Sequence, residues 1–126
     1  MSNISIYNSE KQTLTGISFL KDVSVQIKIR DIKDISEFNT QVGSMMLTII
    51  NHLGIKEAVS KIEKDDVKEM ILMQFKHLSL DEVSYAFKLE RYGVYRDKTD
   101  HFQLFNAEYV STVLNKYLKW KVETRK

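Results

Sequence analysis

Apolar side chains recur every three or four positions between residues 34 and 53, which is the spacing of one face of an α-helix. The residues of this face are Ile35, Phe38, Val42, Met45, Ile49 and Leu53. Gly54 follows them, and glycine commonly ends a helix because it adopts the left-handed conformation without a steric penalty. The pattern therefore predicts one long helix that ends at Gly54.

Two more helices are predicted in the middle of the chain. Asp65 or Asp66 is a candidate cap for a helix with a buried stripe of Val67, Met70, Ile71, Phe75 and Leu78. The sequence SLDE at residues 79–82 has the spacing of a capping box, so another helix is expected to begin there and to stop at Gly93. A shorter helix at residues 55–62 is indicated by the apolar set Ile55, Ala58, Val59 and Ile62.

A loop of twelve residues lies between Gly93 and Asn106, the residue that is the candidate cap of a last helix. A loop of this length needs its own anchors. The candidate anchors are Val94, Tyr95, Phe102, Leu104 and Phe105. Phe105 and Val110 have the spacing of a hydrophobic staple, in which the residue before a cap packs on the fourth helical residue. We therefore expect Phe102 and Phe105 to fasten the last helix to the core.

Residues 1–33 have a different pattern. Between Val23 and Ile29 apolar side chains alternate with polar ones, a period of two that is typical of a half-buried strand. Ile4 and Ile6 alternate in the same way, and Thr15-Gly16 could supply a turn, so an extended arm or a β-ribbon is predicted. Such an arm must pack against the helices or pair with another copy of the chain, because an isolated ribbon is only marginally stable in water. The alternative, in which the stretch only leads into the next helix, stays open.

Composition narrows the class of protein. A chain of 126 residues fits one domain, so we expect a mainly α-helical domain at residues 34–126, with four principal helices and one short helix, preceded by the arm. The 43% hydrophobic and 29% charged residues are typical of a soluble protein. No apolar run is long enough to cross a bilayer, and the start MSNISIYNSEKQ lacks the pattern of a secretory signal peptide. The chain has no proline and no cysteine, which allows long helices and excludes disulfides. A cytoplasmic protein without a membrane partner is expected.

No motif of catalysis or cofactor binding is present. The four glycines are too scattered for a phosphate-binding loop, and neither a serine elbow nor a cysteine nucleophile occurs. Asp97, Asp100 and His101 together could hold a divalent ion or share a proton, but a hydrogen-bonded surface loop explains the same residues more simply. We therefore expect a protein that is not an enzyme and has no cofactor and no metal site.

Positive charge and aromatic rings occur together in two places. Near the C-terminal end, lysines and an arginine interleave with Tyr117 and Trp120, and a similar mixture surrounds Gly93. Cations neutralise phosphates, and an exposed indole can stack on an unpaired base. The candidate residues for binding nucleic acid or a protein partner are Arg91, Tyr95, Arg96, Lys98, Lys116, Lys119, Trp120, Lys121 and Arg125. Two alternatives remain: a solvated helix end with Tyr117 in the core and Trp120 covering an edge, or an anchor for a protein partner.

From about residue 51 to residue 121 the chain resembles small proteins encoded by phages and mobile elements of Bacteroidetes-type bacteria. The resemblance lies in HLGIKE at 52–57, FKHLSLDEVSYAFKLERYGVY at 75–95 and HFQLFNAEYVSTVLNKYLKWK at 101–121. Members of this set often lie among replication genes. The resemblance implies a replication accessory protein of the bacterial host's cytoplasm that contacts the replicative helicase, as a loader does.

The sequence therefore supports two functional hypotheses. The first is a non-enzymatic replication accessory protein that binds a helicase-like partner, nucleic acid or both. The second is a protein-only interaction module, such as a virion component or an inhibitor of a host protein. The position of Trp120 discriminates between them, because exposure among the lysines favours base stacking and burial against Leu114 and Tyr117 favours a structural role.

Overall fold

The protein is mainly α-helical, as its sequence predicts. A computed structural model describes Tyr7 and residues 14–125, and five α-helices occur within them. They are α1 (Gly16–Val23), α2 (Ile35–Leu53), α3 (Lys61–Gln74), α4 (Leu80–Arg91) and α5 (Ala107–Arg125). A single turn of 3-10 helix, Ile29–Asp31, precedes α2. None of the helices described is both long enough and apolar enough to cross a bilayer.

Helix α4 is the centre of the molecule. Every residue from Leu80 to Glu90 is buried except Lys88, which is partly buried. Helix α5 packs along α4 in the antiparallel direction, since Lys121 of α5 meets Glu82 near the start of α4 and Lys116 meets Glu90 near its end. A helix that is covered on all sides cannot keep polar side chains in water, so its carboxylates must find partners inside the protein.

Local signals account for where the four principal helices begin and end. The capping box predicted at SLDE is present: the Glu82 amide donates to the Ser79 hydroxyl (3.0 Å), and the Ser79 amide donates to the Glu82 carboxylate (3.1 Å). Asn106 caps α5 by accepting from the Tyr109 amide at 2.9 Å. Gly54 ends α2 with a φ of 72°, the left-handed conformation expected of it. The capping predictions at these three positions are confirmed.

The predicted strand at Val23–Ile29 is wrong. Val23 is the last residue of α1, and the following residues form turns; Lys28 makes only an isolated bridge with Ser79. The alternation is explained by two different structures, because Val23 is buried in the helix with Phe19 and Leu20, whereas Val25 is 58% exposed and pairs with no strand among the residues that the structure describes. Ile4 and Ile6 lie outside the described residues, so pairing of an N-terminal arm with another copy stays a prediction.

The predicted short helix at residues 55–62 is also wrong. Residues 55–60 are not helical, and α3 begins at Lys61, capped by Ser60 rather than by Asp65 or Asp66. The Ser60 hydroxyl accepts from the Glu63 amide at 3.1 Å. The Lys56 amide donates to the Gln103 side chain at 3.0 Å, which ties this segment to the loop before α5. The charged sequence EKDD forms part of the first turns of α3.

The loop between α4 and α5 is anchored by fewer residues than predicted. Phe105 is 3% exposed and its ring lies 6.5 Å from that of Phe87, and the Tyr95 hydroxyl donates to the Ala86 carbonyl at 2.8 Å. These two anchors are confirmed. The predicted anchoring by Val94, Phe102 and Leu104 is wrong, since all three are exposed and Phe102 reaches 76%. Polar contacts hold this part of the loop instead.

A candidate binding surface on helices α4 and α5

Lys116 connects the loop to the buried end of α4. Its ammonium lies 2.6 Å from the Glu90 carboxylate and 2.9 Å from the Thr99 hydroxyl, and it also donates to the Asp97 carbonyl. The second oxygen of Glu90 accepts from the Thr99 amide at 2.8 Å. An ammonium has three protons, so these contacts use all of its donors. Lys116 therefore stabilises the loop and has no donor left for a ligand.

Lys121 has the same kind of role at the other end of α4. Its ammonium lies 2.6 Å from Glu82, a side chain with no exposed surface. The same carboxylate oxygen accepts from the Tyr117 hydroxyl at 2.7 Å, and Lys28 lies 3.7 Å from the other oxygen. Burial, together with the nearby Glu82 carboxylate, raises the pKa of Tyr117 far above its usual value. Tyr117 thus lies in the core, and Lys121 neutralises a buried charge.

Further cations lie near the end of α4, where Lys88 is 5.8 Å from the centre of the Tyr85 ring, and beside Trp120, whose ring is 6.1 Å from that of Tyr85. Tyr85 thus connects the two groups into one surface. We call it the basic-aromatic face and define it by Lys88, Arg91, Tyr92, Arg96, Lys119 and Trp120. The Lys88 ammonium lies 5.6 Å from the centre of the Tyr92 ring, and the Arg91 guanidinium lies 5.0 Å from it. Both distances are within the range of cation–π attraction. Tyr92 is nevertheless 65% exposed, so much of its side chain remains accessible.

A groove crosses this face beside Trp120. It has a volume of about 590 Å³ and is lined by Val94, Tyr95, Arg96, Asp97, Lys116, Lys119, Trp120 and Glu123. Trp120 is partly buried because its ring packs against Tyr117 (5.8 Å between centres) and Tyr85 (6.1 Å). Arg96 and Lys119 line the groove together with the carboxylates Asp97 and Glu123, and the third lining cation, Lys116, is bound to Glu90. The lining therefore combines aromatic rings with charges of both signs.

The candidate residues from the sequence are thus divided between two roles. Arg91, Arg96 and Lys119 lie exposed on the basic-aromatic face, with Trp120 half-buried beside them. Lys98 is exposed in the loop and Arg125 at the end of α5. Lys116 and Lys121 bind buried carboxylates, and Tyr95 is half-buried with its hydroxyl bonded to the backbone.

Sequence reasoning omitted Lys88, and it included Tyr92 only in the mixture around Gly93, not among the candidate residues for binding. Lys88 was overlooked because it stands inside a helix pattern away from the two basic clusters. The two residues are four apart on the chain, a spacing that brings side chains together at the surface of a helix. That spacing is the signal that would have found them.

A second unusual surface is the turn at residues 101–104, which we call the Phe102 turn. Phe102 and Gln103 have φ values of 51° and 61°, and the Leu104 amide donates to the His101 carbonyl at 2.8 Å. Positive φ at both central positions is characteristic of a type I′ turn, which favours glycine and asparagine. Larger residues in this conformation are strained by about 1 to 3 kcal/mol each.

Several polar contacts hold the Phe102 turn against the end of α2. The Phe102 amide donates to Asp100 at 2.7 Å, and the Gln103 amide donates to Nδ1 of His101 at 2.9 Å. Because Nδ1 accepts this hydrogen bond and carries no proton, the other ring nitrogen, Nε2, is the donor to the Leu53 carbonyl at 3.2 Å. His101 and Asp100 are therefore used within the loop, and no group of three metal-ligating side chains occurs among residues 14–125 and Tyr7.

No model of a known protein family, no curated protein and no solved structure matches this chain.

Proposed function

We propose that this protein is a non-catalytic accessory protein of phage or mobile-element replication that acts in the bacterial cytoplasm. In this proposal it binds single-stranded nucleic acid on the basic-aromatic face and contacts a helicase-like protein. The observation that supports it best is that the exposed cations Arg91, Arg96 and Lys119 occur near the exposed Tyr92 and the half-buried Trp120, at the end of α4 and on α5. The resemblance of residues 51–121 to replication-associated phage proteins supports the replication context.

The chemistry of the face suits an unpaired strand. Arginine and lysine neutralise backbone phosphates, and the release of counterions makes the affinity depend on salt. An aromatic ring beside these cations offers a stacking surface to a base of any sequence. Tyr92 fits that role better than Trp120, because the Trp120 ring already packs on Tyr85 and Tyr117.

The protein-only module is the second candidate, and two observations favour it. Lys116 and Lys121 are engaged by Glu90 and Glu82, which leaves fewer cations for phosphates than the sequence indicates. The contact of Trp120 with Tyr117 was the expected sign of a structural role. Tryptophan, tyrosine and arginine also dominate the energetics of protein interfaces, so the same face suits a protein partner.

Fluorescence anisotropy with labelled single strands at several salt concentrations tests the proposal. The logarithm of the affinity should fall with the logarithm of salt with a slope of about −0.7 for each phosphate contacted. Replacing Arg91 and Lys119 together by glutamine should flatten this slope. Tyr92→Ala should weaken binding by about 1 to 3 kcal/mol and leave the slope nearly unchanged.

The matched control is the double glutamine variant of Lys33 and Lys56, which are exposed and lie outside the basic-aromatic face. It removes the same amount of charge and should leave the slope much closer to that of the unmodified protein. No binding at low salt and at tens of micromolar protein, which is roughly the range of non-specific affinities, would exclude the nucleic-acid function. Capture of a replicative helicase from nuclease-treated host lysate, lost in the Arg91 and Lys119 variant, would then support the helicase-binding part of the first candidate.

A further inference from the structure

His101 fastens the Phe102 turn with both nitrogens of its ring. Nδ1 accepts a hydrogen bond from the Gln103 amide at 2.9 Å, and Nε2 donates to the Leu53 carbonyl at the end of α2 at 3.2 Å. Only the neutral ring with its proton on Nε2 makes both bonds, because a protonated histidine is a donor at both nitrogens. The turn as it is folded here therefore requires an uncharged His101.

The bond between Gln103 and His101 holds a part of the loop that is otherwise strained. Phe102 and Gln103 have positive φ values of 51° and 61°, a conformation that side chains of this size rarely adopt. The Gln103 side chain extends the fastening, since it accepts from the Lys56 amide at 3.0 Å and donates to the Gly54 carbonyl at 3.5 Å. Without the bond to His101 the backbone can relax, and the Gln103 side chain is withdrawn from the end of α2.

The surroundings of His101 let a proton reach the ring but do not replace the bond that the proton breaks. The ring is half-buried, so water has access to it. The carbonyls at the end of α2 attract a positively charged ring, and so do the nearby carboxylates, whereas the nearby cations oppose it. No carboxylate can accept from Nδ1 while the Gln103 amide points at that atom. The charged or titratable groups on the elements that meet His101 are His52 in α2, Lys56 and Glu57 after it, Asp100 in the loop, and Glu108 and Tyr109 in α5, with the Tyr109 ring at 5.8 Å.

We infer that His101 is a proton-sensitive switch that opens the Phe102 turn. When Nδ1 takes up a proton from water, it becomes a donor that faces the Gln103 amide, so this hydrogen bond breaks and the turn opens. Nε2 keeps its proton, and its bond to the Leu53 carbonyl persists with the help of the positive charge. The charge of a histidine ordinarily changes between about pH 5 and pH 8, so the turn should be closed at the upper end of this range and open at the lower end.

The opening should stay local, because the first half of the loop is held by other groups. The Lys116 ammonium lies 2.6 Å from Glu90 and 2.9 Å from the Thr99 hydroxyl, and Glu90 also accepts from the Thr99 amide at 2.8 Å. None of these bonds involves His101. The switch therefore acts on residues 101–104 and on their contact with the end of α2, and it is independent of the proposed nucleic-acid binding.

Amide hydrogen exchange followed by NMR of the isotope-labelled full-length chain tests the inference. Exchange is compared at about pH 8 and about pH 5 after correction for the intrinsic effect of pH on the exchange rate. Protection of the Gln103 and Lys56 amides should fall by about tenfold at the lower pH, the effect of losing one typical hydrogen bond. The amides of Thr99 and Tyr109 bond to side chains other than His101, so they are internal controls and should stay protected.

Two substitutions of His101 separate the roles of its two nitrogens. Asparagine has its side-chain oxygen near the position of Nδ1 and does not titrate, so His101→Asn should keep the Gln103 amide protected at both pH values. Glutamine has its amide near the position of Nε2, so His101→Gln keeps a donor for Leu53 but loses the acceptor for Gln103, and the turn should be open at both pH values. The matched control replaces His52 and His77, the other two histidines of the chain, by asparagine. Both are exposed, and the response to pH should remain.

The inference is overturned if the His101 ring signals titrate while protection of the Gln103 amide stays the same, or if the ring takes up no proton down to about pH 5. A response to pH that survives in His101→Asn, or that disappears when only His52 and His77 are replaced, would also contradict it. Loss of protection at Tyr109 together with Gln103 would indicate general unfolding at low pH rather than a local switch, and would overturn it as well.

Discussion

Replacement of Lys121 by methionine tests whether the buried carboxylate of α4 is as important as the structure indicates. Methionine keeps much of the length of the side chain and removes the ammonium that lies 2.6 Å from Glu82. Glu82 has no exposed surface, so its carboxylate would keep only the Tyr117 hydroxyl, the Ser79 amide and the more distant Lys28. A buried ion pair that loses one partner typically costs about 3 to 5 kcal/mol.

A loss of this size is a large part of the total free energy of unfolding, which is about 5 to 15 kcal/mol for an ordinary domain. The assay is urea unfolding followed by circular dichroism, in which the midpoint should fall and the slope should stay constant. The matched control is Lys61→Met, which breaks a pair with the same distance of 2.6 Å between Lys61 and Asp65. The side chains of that pair are 87% and 50% exposed, against 15% and 0% for Lys121 and Glu82, so the midpoint should hardly change.

The reasoning is refuted if Lys121→Met and Lys61→Met shift the midpoint equally, or if Lys121→Met costs less than about 1 kcal/mol, the value typical of surface pairs. The double variant Glu82→Gln with Lys121→Met provides a further check. It removes both charges, so it should be more stable than Lys121→Met alone if an unpaired buried charge is the cause.

The other two predictions also concern stability. Phe105→Ala should cost about 3 to 5 kcal/mol because the ring is buried, whereas Phe102→Ala should leave thermal unfolding nearly unchanged; equal effects would contradict the assignment of Phe105 as the anchor. Burial raises the pKa values of Tyr95, Tyr109 and Tyr117 above the usual 10.0. Above about pH 10 these tyrosines therefore ionise in the unfolded chain but stay neutral in the folded protein. Their contribution to the free energy of unfolding is present below about pH 10 and is lost as the pH rises further. Urea unfolding between neutral and alkaline pH measures this loss of stability, and the loss should be smaller in Tyr117→Phe. A free energy of unfolding that stays constant above about pH 10 would contradict the raised pKa values of these three hydroxyls.

Sequence patterns were accurate at three helix ends that depend on near neighbours along the chain, but not at the start of α3, where Ser60 is the cap and Asp65 or Asp66 was predicted. The capping box at Ser79 and Glu82, the cap at Asn106 and the helix end at Gly54 each involve residues no more than a few positions apart. The apolar stripe of α2 follows the same short-range rule from Phe38 to Ile49, whereas Ile35, predicted to belong to it, is 72% exposed. Such interactions form in the same way whatever surrounds the helix, so the sequence alone predicts them.

Two local patterns were misleading because the same spacing fits more than one structure. The alternation from Val23 to Ile29 is that of a strand, but it spans the end of α1 and the following turns. A strand needs a partner with a continuous ladder of hydrogen bonds, and here only Lys28 and Ser79 form a bridge. Residues 55–60 have helical spacing, yet their backbone is not helical, and the Lys56 amide donates to the Gln103 side chain of the loop before α5.

The residues of the candidate binding surface were the hardest to predict from the sequence, because they depend on tertiary contacts. Lys116 and Glu90 are 26 residues apart and Lys121 and Glu82 are 39 apart, and no local rule indicates that these lysines are used inside the protein. The choice between Phe102 and Phe105 is likewise tertiary, because it depends on how the loop is fastened to α2 and α4.

The sequence by itself therefore determined the helical class, the four principal helices and the presence of excess cations near Gly93 and the C-terminal end. Only the tertiary structure decided which cations remain on the surface. The physical reason is that α4 is covered on all sides, and its buried carboxylates Glu82 and Glu90 require lysines as partners. The lysines that satisfy them have no donor left for a ligand, whereas Arg91, Arg96 and Lys119 stay exposed on the face for which we propose a binding role.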